Sequence, residues 1–267
     1  MKWRGRDGFL KDSLWPTFEV SAKIHFMVTI DYLYDENIKL VQAKDGYRFS
    51  LDPVLLADFL SIPAGGSALD LGTGCGVLAM LVARRSESLK VSGWELQPQM
   101  VARARQGVVA SQMTTQVVIE DADLRLHRQL TEAGRFDLVV TNPPYRKINT
   151  GRIAPSEERA AARHEMAGDL EDFLAAASWG LKHGGSFGIV FLAERLSELL
   201  VAMTAVDIEP KRLRMVHARQ GEPAKIVLVE GRKKGARGLK VEAPLFVYKD
   251  VESNEYTEEV KQIYKND

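Results

Sequence analysis

Asp70 stands directly before a run in which glycine alternates with small residues, Gly72-Thr73-Gly74-Cys75-Gly76. Glycine tolerates backbone angles that a β-carbon forbids, and it lets a ligand approach the main chain closely. The run joins a strand-like segment, Ser67–Leu71, to a helical one, Val77–Arg85, and such junctions are where open α/β sheets bind nucleotides. A dinucleotide fingerprint requires Gly-x-Gly-x-x-Gly, yet the sixth position counted from Gly72 is Val77. A carboxylate at Asp70 would also repel a pyrophosphate. The ligand that suits this loop is neutral or cationic. S-adenosylmethionine meets that description: it carries an α-amino group, a sulfonium and a ribose diol, but no phosphate. Glu95 ends the next strand and can accept from both ribose hydroxyls. Asp123, just after the third strand, is placed to accept from the adenine amino group, with Asp121 as the competing choice. Taken singly, each acid has an ordinary explanation as a strand-end or cap residue; the ordered set carries the reading.

A second constellation, Asn142-Pro143-Pro144-Tyr145, follows directly on the apolar run Phe136–Val140. Each proline lacks a backbone donor and fixes φ, so the chain leaves a buried strand and at once becomes stiff. A rigid surface turn is the ordinary meaning of a double proline. After a buried strand, with a cofactor loop upstream, the segment reads instead as part of a site. Cys75 reads as a small loop residue. No metal is implied: His164 stands alone beside Glu165, and His183 and His217 read as surface or packing residues.

The elements that must position these groups alternate regularly from Ser67. Strands are expected at "SALDL", "KVSGWE", "QVVIE", "FDLVV" and "SFGIVF", and helices over Val77–Arg85, Gln99–Ser111, Leu170–Leu181 (stopped by "KHGG") and Ala193–Ala205. Three late strands, "KRLRMVH", "KIVLVE" and "PLFVYKD", follow. Upstream, Ile38–Gln42 is strand-like, and Asp52 is an N-cap candidate with Pro53 at the first position of a short amphipathic helix, Val54–Leu60. Strands alternating with helices, then strands in succession, predict an α/β chain with a mostly parallel sheet and antiparallel pairing at one edge. Residues 1–26 show no clear period and are expected to form a poorly ordered extension, with Met27 as an alternative start. Residues 27–66 form an N-terminal pocket and substrate segment, 67–250 the main domain, and 251–267 a polar surface tail.

The 267 residues include 36 basic and 36 acidic side chains, so overall charge points to no partner and any polyanion site must come from local clustering. One cysteine excludes an internal disulfide framework and fits a reducing compartment. No apolar run approaches the ~20 residues of a membrane span, and no apolar stretch follows Lys2, Arg4 and Arg6 as in a secretory signal. A cytoplasmic protein without membrane association, and without an evident obligate protein partner, is expected.

With "LDLGTGCG" upstream of "FDLVVTNPPY", the chain resembles the Rossmann-like class I methyltransferases that carry an Asn-Pro-Pro-Tyr motif after the fourth strand. The resemblance implies a seven-stranded, mostly parallel sheet with an antiparallel edge strand and helices on both faces. It also implies methyl transfer to a planar nitrogen: adenine N6, cytosine N4 or a glutamine amide. The Asn142 side-chain oxygen and the Pro143 carbonyl would accept the two N–H bonds of that nitrogen and favour its tetrahedral geometry in the transition state. Tyr145 would stack on a base.

Further segments, "IKLVQAKDGYRFSLDPVLLADF", "ARHE", "ERLSELL", "PKRLRMVH" and "PLFVYKD", are similar to the bacterial tRNA1(Val) adenine-37 N6-methyltransferase family. That likeness implies that Phe49 and Asp52 wall the cofactor pocket and that the acceptor is an adenine beside an anticodon. Between Glu209 and Lys240 ten basic residues face three acids, a cluster that includes Arg232, Lys233, Lys234 and Arg237. Arg146, Lys147, Arg152, Arg159 and Arg163 flank the Asn-Pro-Pro-Tyr loop. Such clusters are what RNA phosphates require; taken one at a time, each is also what a solvated strand face looks like. The competing expectations are a glutamine methyltransferase acting on a protein, an adenine-N6 methyltransferase acting on rRNA or DNA, and a non-catalytic RNA-binding module.

Overall fold

The computed structural model describes residues 28–33, 37–43, 50–144, 168–250 and 253–265. Strand β1 (Val28–Leu33) pairs antiparallel with β2 (Ile38–Ala43) in a small separate sheet. Helix α1 (Asp52–Phe59) leads into β3 (Gly66–Leu71), α2 (Val77–Arg84), β4 (Leu89–Glu95), α3 (Pro98–Ala110) and β5 (Val117–Asp121). Then come a 3-10 turn (Leu124–Leu126), α4 (His127–Leu130), β6 (Phe136–Thr141), α5 (Leu170–Gly180), β7 (Leu181–Leu192) and α6 (Leu196–Ala205). The chain ends with β8 (Ile208–His217), β9 (Ala224–Lys233), the two-residue strands β10 (Lys240–Val241) and β11 (Leu245–Phe246), and α7 (Glu258–Lys265).

Seven full strands form the main sheet in the order β8-β9-β7-β6-β3-β4-β5, and β10 and β11 both pair with the outer edge of β8. Pairing is parallel from β7 through β5. Strand β9 runs antiparallel to both β7 and β8, so the reversed strand lies second from the edge rather than at it. Alternation along the strands divides the core in two. Ala68, Leu138, Val140 and Leu228 pack with α1, α2, α3 and α7 on one face. Leu69, Leu71, Val139, Phe187 and Val229 pack with α5 and α6 on the other.

Four local expectations are corrected. Asp52 is the first helical residue of α1 and Leu51 its N-cap. That helix buries Pro53 through Ala57 together with Phe59, so it is a core helix rather than an amphipathic one. The "KHGG" segment lies inside β7, as a bulge: pairing with β6 jumps from Phe136↔Leu181 to Leu138↔Ser186. The expected polar tail contains α7, whose Val260 and Ile263 are buried against the core.

Candidate active site

The chain steps outward from β3 through β4 to β5, then crosses back to lay β6 on the other side of β3, and this switch point opens a crevice at the carboxyl ends of the parallel strands. A cleft of about 580 Å³ occupies it. Asp70 comes from β3, Gly72 and Gly74 from the loop that follows, Glu95 from the end of β4, and Asn142 and Pro143 from the end of β6. Five residue types singled out from scattered positions thus share one wall.

The loop is built on backbone geometry. Gly72, Gly74 and Gly76 all have positive φ, at 67°, 59° and 82°. A β-carbon on Gly72 would press on the Phe173 ring at 3.1 Å. Gly76 does not line the cleft: it is the N-cap of α2, and a β-carbon there would meet Ala104 of α3 at 3.3 Å. Its bare backbone lets α2 and α3 approach closely. Thr73, which the sequence pattern left unassigned, ties the loop down. Its amide donates to the Trp94 carbonyl at 2.9 Å, and its hydroxyl donates to Asp70 Oδ2 at 2.5 Å.

Asp70 is 1% exposed, and burial pushes its carboxyl up to about 7 despite the Thr73 hydroxyl. Glu95 accepts the Gly74 amide on Oε2 and the Gln97 amide on Oε1, both at 2.9 Å. Burial raises it as well, and these amides oppose the rise. Asp123 lines the cleft, whereas Asp121 is exposed and does not line it. The Asp123 carboxylate is gripped by Arg125, Nη2 to Oδ2 at 2.6 Å, and that partner holds it below the usual carboxylate range. Among the described residues the lining carries four carboxylates (Asp70, Glu95, Asp123 and Glu194) and one cation, Arg103.

Asn142 is half-buried and Pro143 buried at the end of β6. Just before them, the buried Thr141 hydroxyl donates to the Leu71 carbonyl at 2.8 Å, locking the end of β6 to β3. On the N-terminal side, Pro53 rather than Asp52 reaches the cleft, with Gln42 of β2 and Ser50 beside it. Phe49, Tyr145, Arg146, Lys147 and Arg163 lie outside the described residues.

The late basic cluster is not with the cleft. Because β9 runs antiparallel to β7, Ile226 sits opposite Leu192 at the cleft end, while Arg232 sits opposite Ser186 at the other. Six strand residues at ~3.3 Å each put Arg232, with Lys233 and Lys234 following it, about 20 Å away from the cleft rim. Several of the counted charges are also spent within the fold. Arg212 pairs with the buried Glu230 at 2.5 Å, Arg214 with Glu259 at 2.5 Å, and Lys233 donates to the Val206 carbonyl at 2.9 Å.

The cleft suits S-adenosylmethionine on observations of its own. Carboxylates outnumber cations where a sulfonium and an ammonium would lie, and the main chain at Gly72 and Gly74 is bare. The Ser50 Oγ is buried in the lining without a hydrogen-bond partner among the described residues, a group that a polar ligand would satisfy.

Residues 51–203 match the family described as methyltransferase small domain. The chain is 32% identical over 191 residues to a protein of Porphyromonas gingivalis named tRNA1(Val) (adenine(37)-N6)-methyltransferase, covering 69% of this chain and 74% of that protein. A protein of the same name from Phocaeicola vulgatus is 25% identical over 219 residues, covering 82% and 91%. Among solved structures, a predicted O-methyltransferase from Agrobacterium tumefaciens superposes with a TM-score of 0.65 at 24% identity, over 80% of this chain and 95% of that one. Pyrococcus horikoshii TYW2 in complex with MeSAdo superposes with a TM-score of 0.54 at 14% identity, over 78% and 72%.

Proposed function

Since the chain belongs to the methyltransferase small domain family and is an S-adenosylmethionine-dependent methyltransferase, we propose that its acceptor is N6 of an adenine in tRNA, adenosine-37 beside the anticodon of tRNA1(Val). The observation that carries the reading is the placement of Asn142-Pro143-Pro144 in the same cleft as Asp70 and Glu95. The names of the relatives support the choice of RNA.

Bound S-adenosylmethionine supplies an electrophilic methyl group. The rest of the work falls to the chain. Asp70 and Glu95 present carboxylate oxygens to the cofactor's hydroxyl and amino groups, Asp123 faces the adenine end, and the open main chain of Gly72 and Gly74 lets it lie close. An exocyclic amine is a weak nucleophile because its lone pair is conjugated into the ring. The Asn142 side-chain oxygen and the Pro143 carbonyl accept its two N–H bonds, which draws the nitrogen toward tetrahedral geometry and aims its lone pair. The two prolines and the Thr141–Leu71 lock hold these acceptors before substrate arrives, so little order has to be imposed on binding. An adenine in an anticodon loop is already partly unpaired, and exposing it costs less than flipping one from a duplex.

The test is transfer of labelled methyl from S-adenosylmethionine to unmodified tRNA1(Val) transcript, run beside a protein release factor bearing an unmethylated glutamine. Label in the RNA alone is expected. Label in the protein alone would replace the adenine reading with the glutamine one.

A further inference from the structure

At the other end of the sheet a second cleft, of about 550 Å³, is lined by side chains from several separate segments. His127 and Arg128 belong to α4, Trp179 to the last turn of α5, His183 to the bulge of β7, and Lys233 and Lys234 to the end of β9 and the residue beyond it. Asp207 is the one carboxylate in this lining among the described residues. It is 68% exposed and stands 3.8 Å from Lys233.

The cations differ in how far the fold uses them. Lys233 is committed, donating to Ser178 Oγ at 2.5 Å and to the Val206 carbonyl at 2.9 Å, where it closes the ends of α5 and α6. Burial holds its ammonium below the usual lysine range. Arg128 and Lys234 pair with no carboxylate among the described residues. The Arg128 guanidinium lies over the Trp179 ring at 4.8 Å, and that ring is fixed by its Nε1 donating to the Thr131 carbonyl at 3.0 Å. Stacking constrains the guanidinium plane while leaving its edge for the paired hydrogen bonds that suit phosphate oxygens. His127 commits Nδ1 to the Leu124 carbonyl at 3.0 Å and keeps Nε2 in reserve. Asp207 and Lys234 both hold left-handed backbone angles, φ 60° and 52°, joined by the Lys234 amide donating to the Asp207 carbonyl at 2.7 Å. A lysine adopts that region at an energetic cost, and such strain gathers where a side chain must be held in place.

We propose that this cleft is a phosphate-binding site. Methyl transfer does not require it: the methyl donor has no phosphate, and the cleft is about 20 Å of strand away from Asn142. The ligand chemistry is a phosphate ester, supplied either by the backbone of an RNA held against the protein or by a free phosphorylated small molecule. The assignment stands whatever the methyl acceptor is.

The experiment follows the histidine ring signals of the full chain by NMR during titration with inorganic pyrophosphate at low ionic strength. Saturable shifts of His127 and His183 are expected, weakened about tenfold or more in the Arg128→Ser, Lys234→Gln double variant, as befits loss of charge-assisted hydrogen bonds. Unmoved signals, or signals that move alike in the variant, would overturn the proposal. The source is then read from tRNA binding to the same two proteins across salt concentrations. A weaker affinity and shallower salt slope in the variant identify the RNA backbone; identical curves, with pyrophosphate binding still lost, identify a small phosphorylated ligand.

Discussion

The main-chain amide of Gly74 donates to Glu95 Oε2 at 2.9 Å, so the loop after β3 and the last residue of β4 are a single unit. The Gln97 amide occupies the other carboxylate oxygen, and each oxygen retains a further lone pair for a ligand hydroxyl. Glu95→Ala is therefore expected to weaken S-adenosylmethionine by roughly 1–3 kcal/mol while also loosening the loop. Glu95→Gln keeps one acceptor oxygen and should fall between. Calorimetric affinities of the three proteins check the order, and an unchanged affinity in Glu95→Ala would remove Glu95 from the site.

Asp70 carries a pH signature. Burial raises its folded-state value from 3.8 to about 7. An acid raised on folding favours the folded state only while protonated. Its contribution is fully present below about 4, fades as pH rises, and is gone above about 7. The ligand-free protein should thus lose stability across that window, and Asp70→Asn should flatten the loss. Denaturant midpoints at a series of pH values measure it; parallel profiles for the two proteins would contradict the assignment.

The glycines of the loop are not equivalent. Alanine at Gly72 meets both a left-handed backbone and the Phe173 ring at 3.1 Å, whereas alanine at Gly74 has only the Met100 methyl at 3.9 Å for company. Gly74→Ala should lose about 1 kcal/mol from backbone strain alone, and Gly72→Ala distinctly more. Thermal unfolding of the two variants tests the ranking.

Arg212 belongs to the basic cluster by count but to the core by contact. Removing it leaves the Glu230 carboxylate, only 4% exposed, without its 2.5 Å partner. Arg212→Ala should destabilise the fold by about 3–5 kcal/mol. A loss of RNA binding in that variant would follow from unfolding, which circular dichroism distinguishes from a surface effect.

That cluster marks the limit of what the sequence made legible. The glycine loop, the strand-end acids and the Asn-Pro-Pro segment could be read because each depends on neighbours within a few positions, and they fall together in one cleft. Arg212 opposite Glu230 depends on the register of β8 against β9, and the placement of Lys233 and Lys234 depends on the direction of β9. A sum of charges contains neither. Helix α7 is hard to read from sequence because its core face among the described residues, the buried Val260 and Ile263 with the partly buried Tyr264, is a short stripe in an otherwise polar segment. The β1–β2 hairpin was half seen. Strand β2 buries Ile38 and Leu40, but β1 leaves Ile30 and Tyr32 about half exposed, so no one-sided pattern announced it. The packing of Gly76 against Ala104 is a contact between α2 and α3 that the spacing of the three glycines does not announce.

The central claim rests on Asn142, and the most direct measurement is single-turnover methylation of tRNA1(Val) transcript at saturating cofactor, with the product nucleosides identified by mass spectrometry. The account predicts N6-methyladenosine with the wild-type chain. It predicts a rate lower by at least ~100-fold with Asn142→Ala, the scale of losing one preorganised hydrogen-bonding group at a reacting centre, with cofactor affinity unchanged. A methyl group found on another nucleoside, or an Asn142→Ala protein that transfers at the wild-type rate, would contradict it.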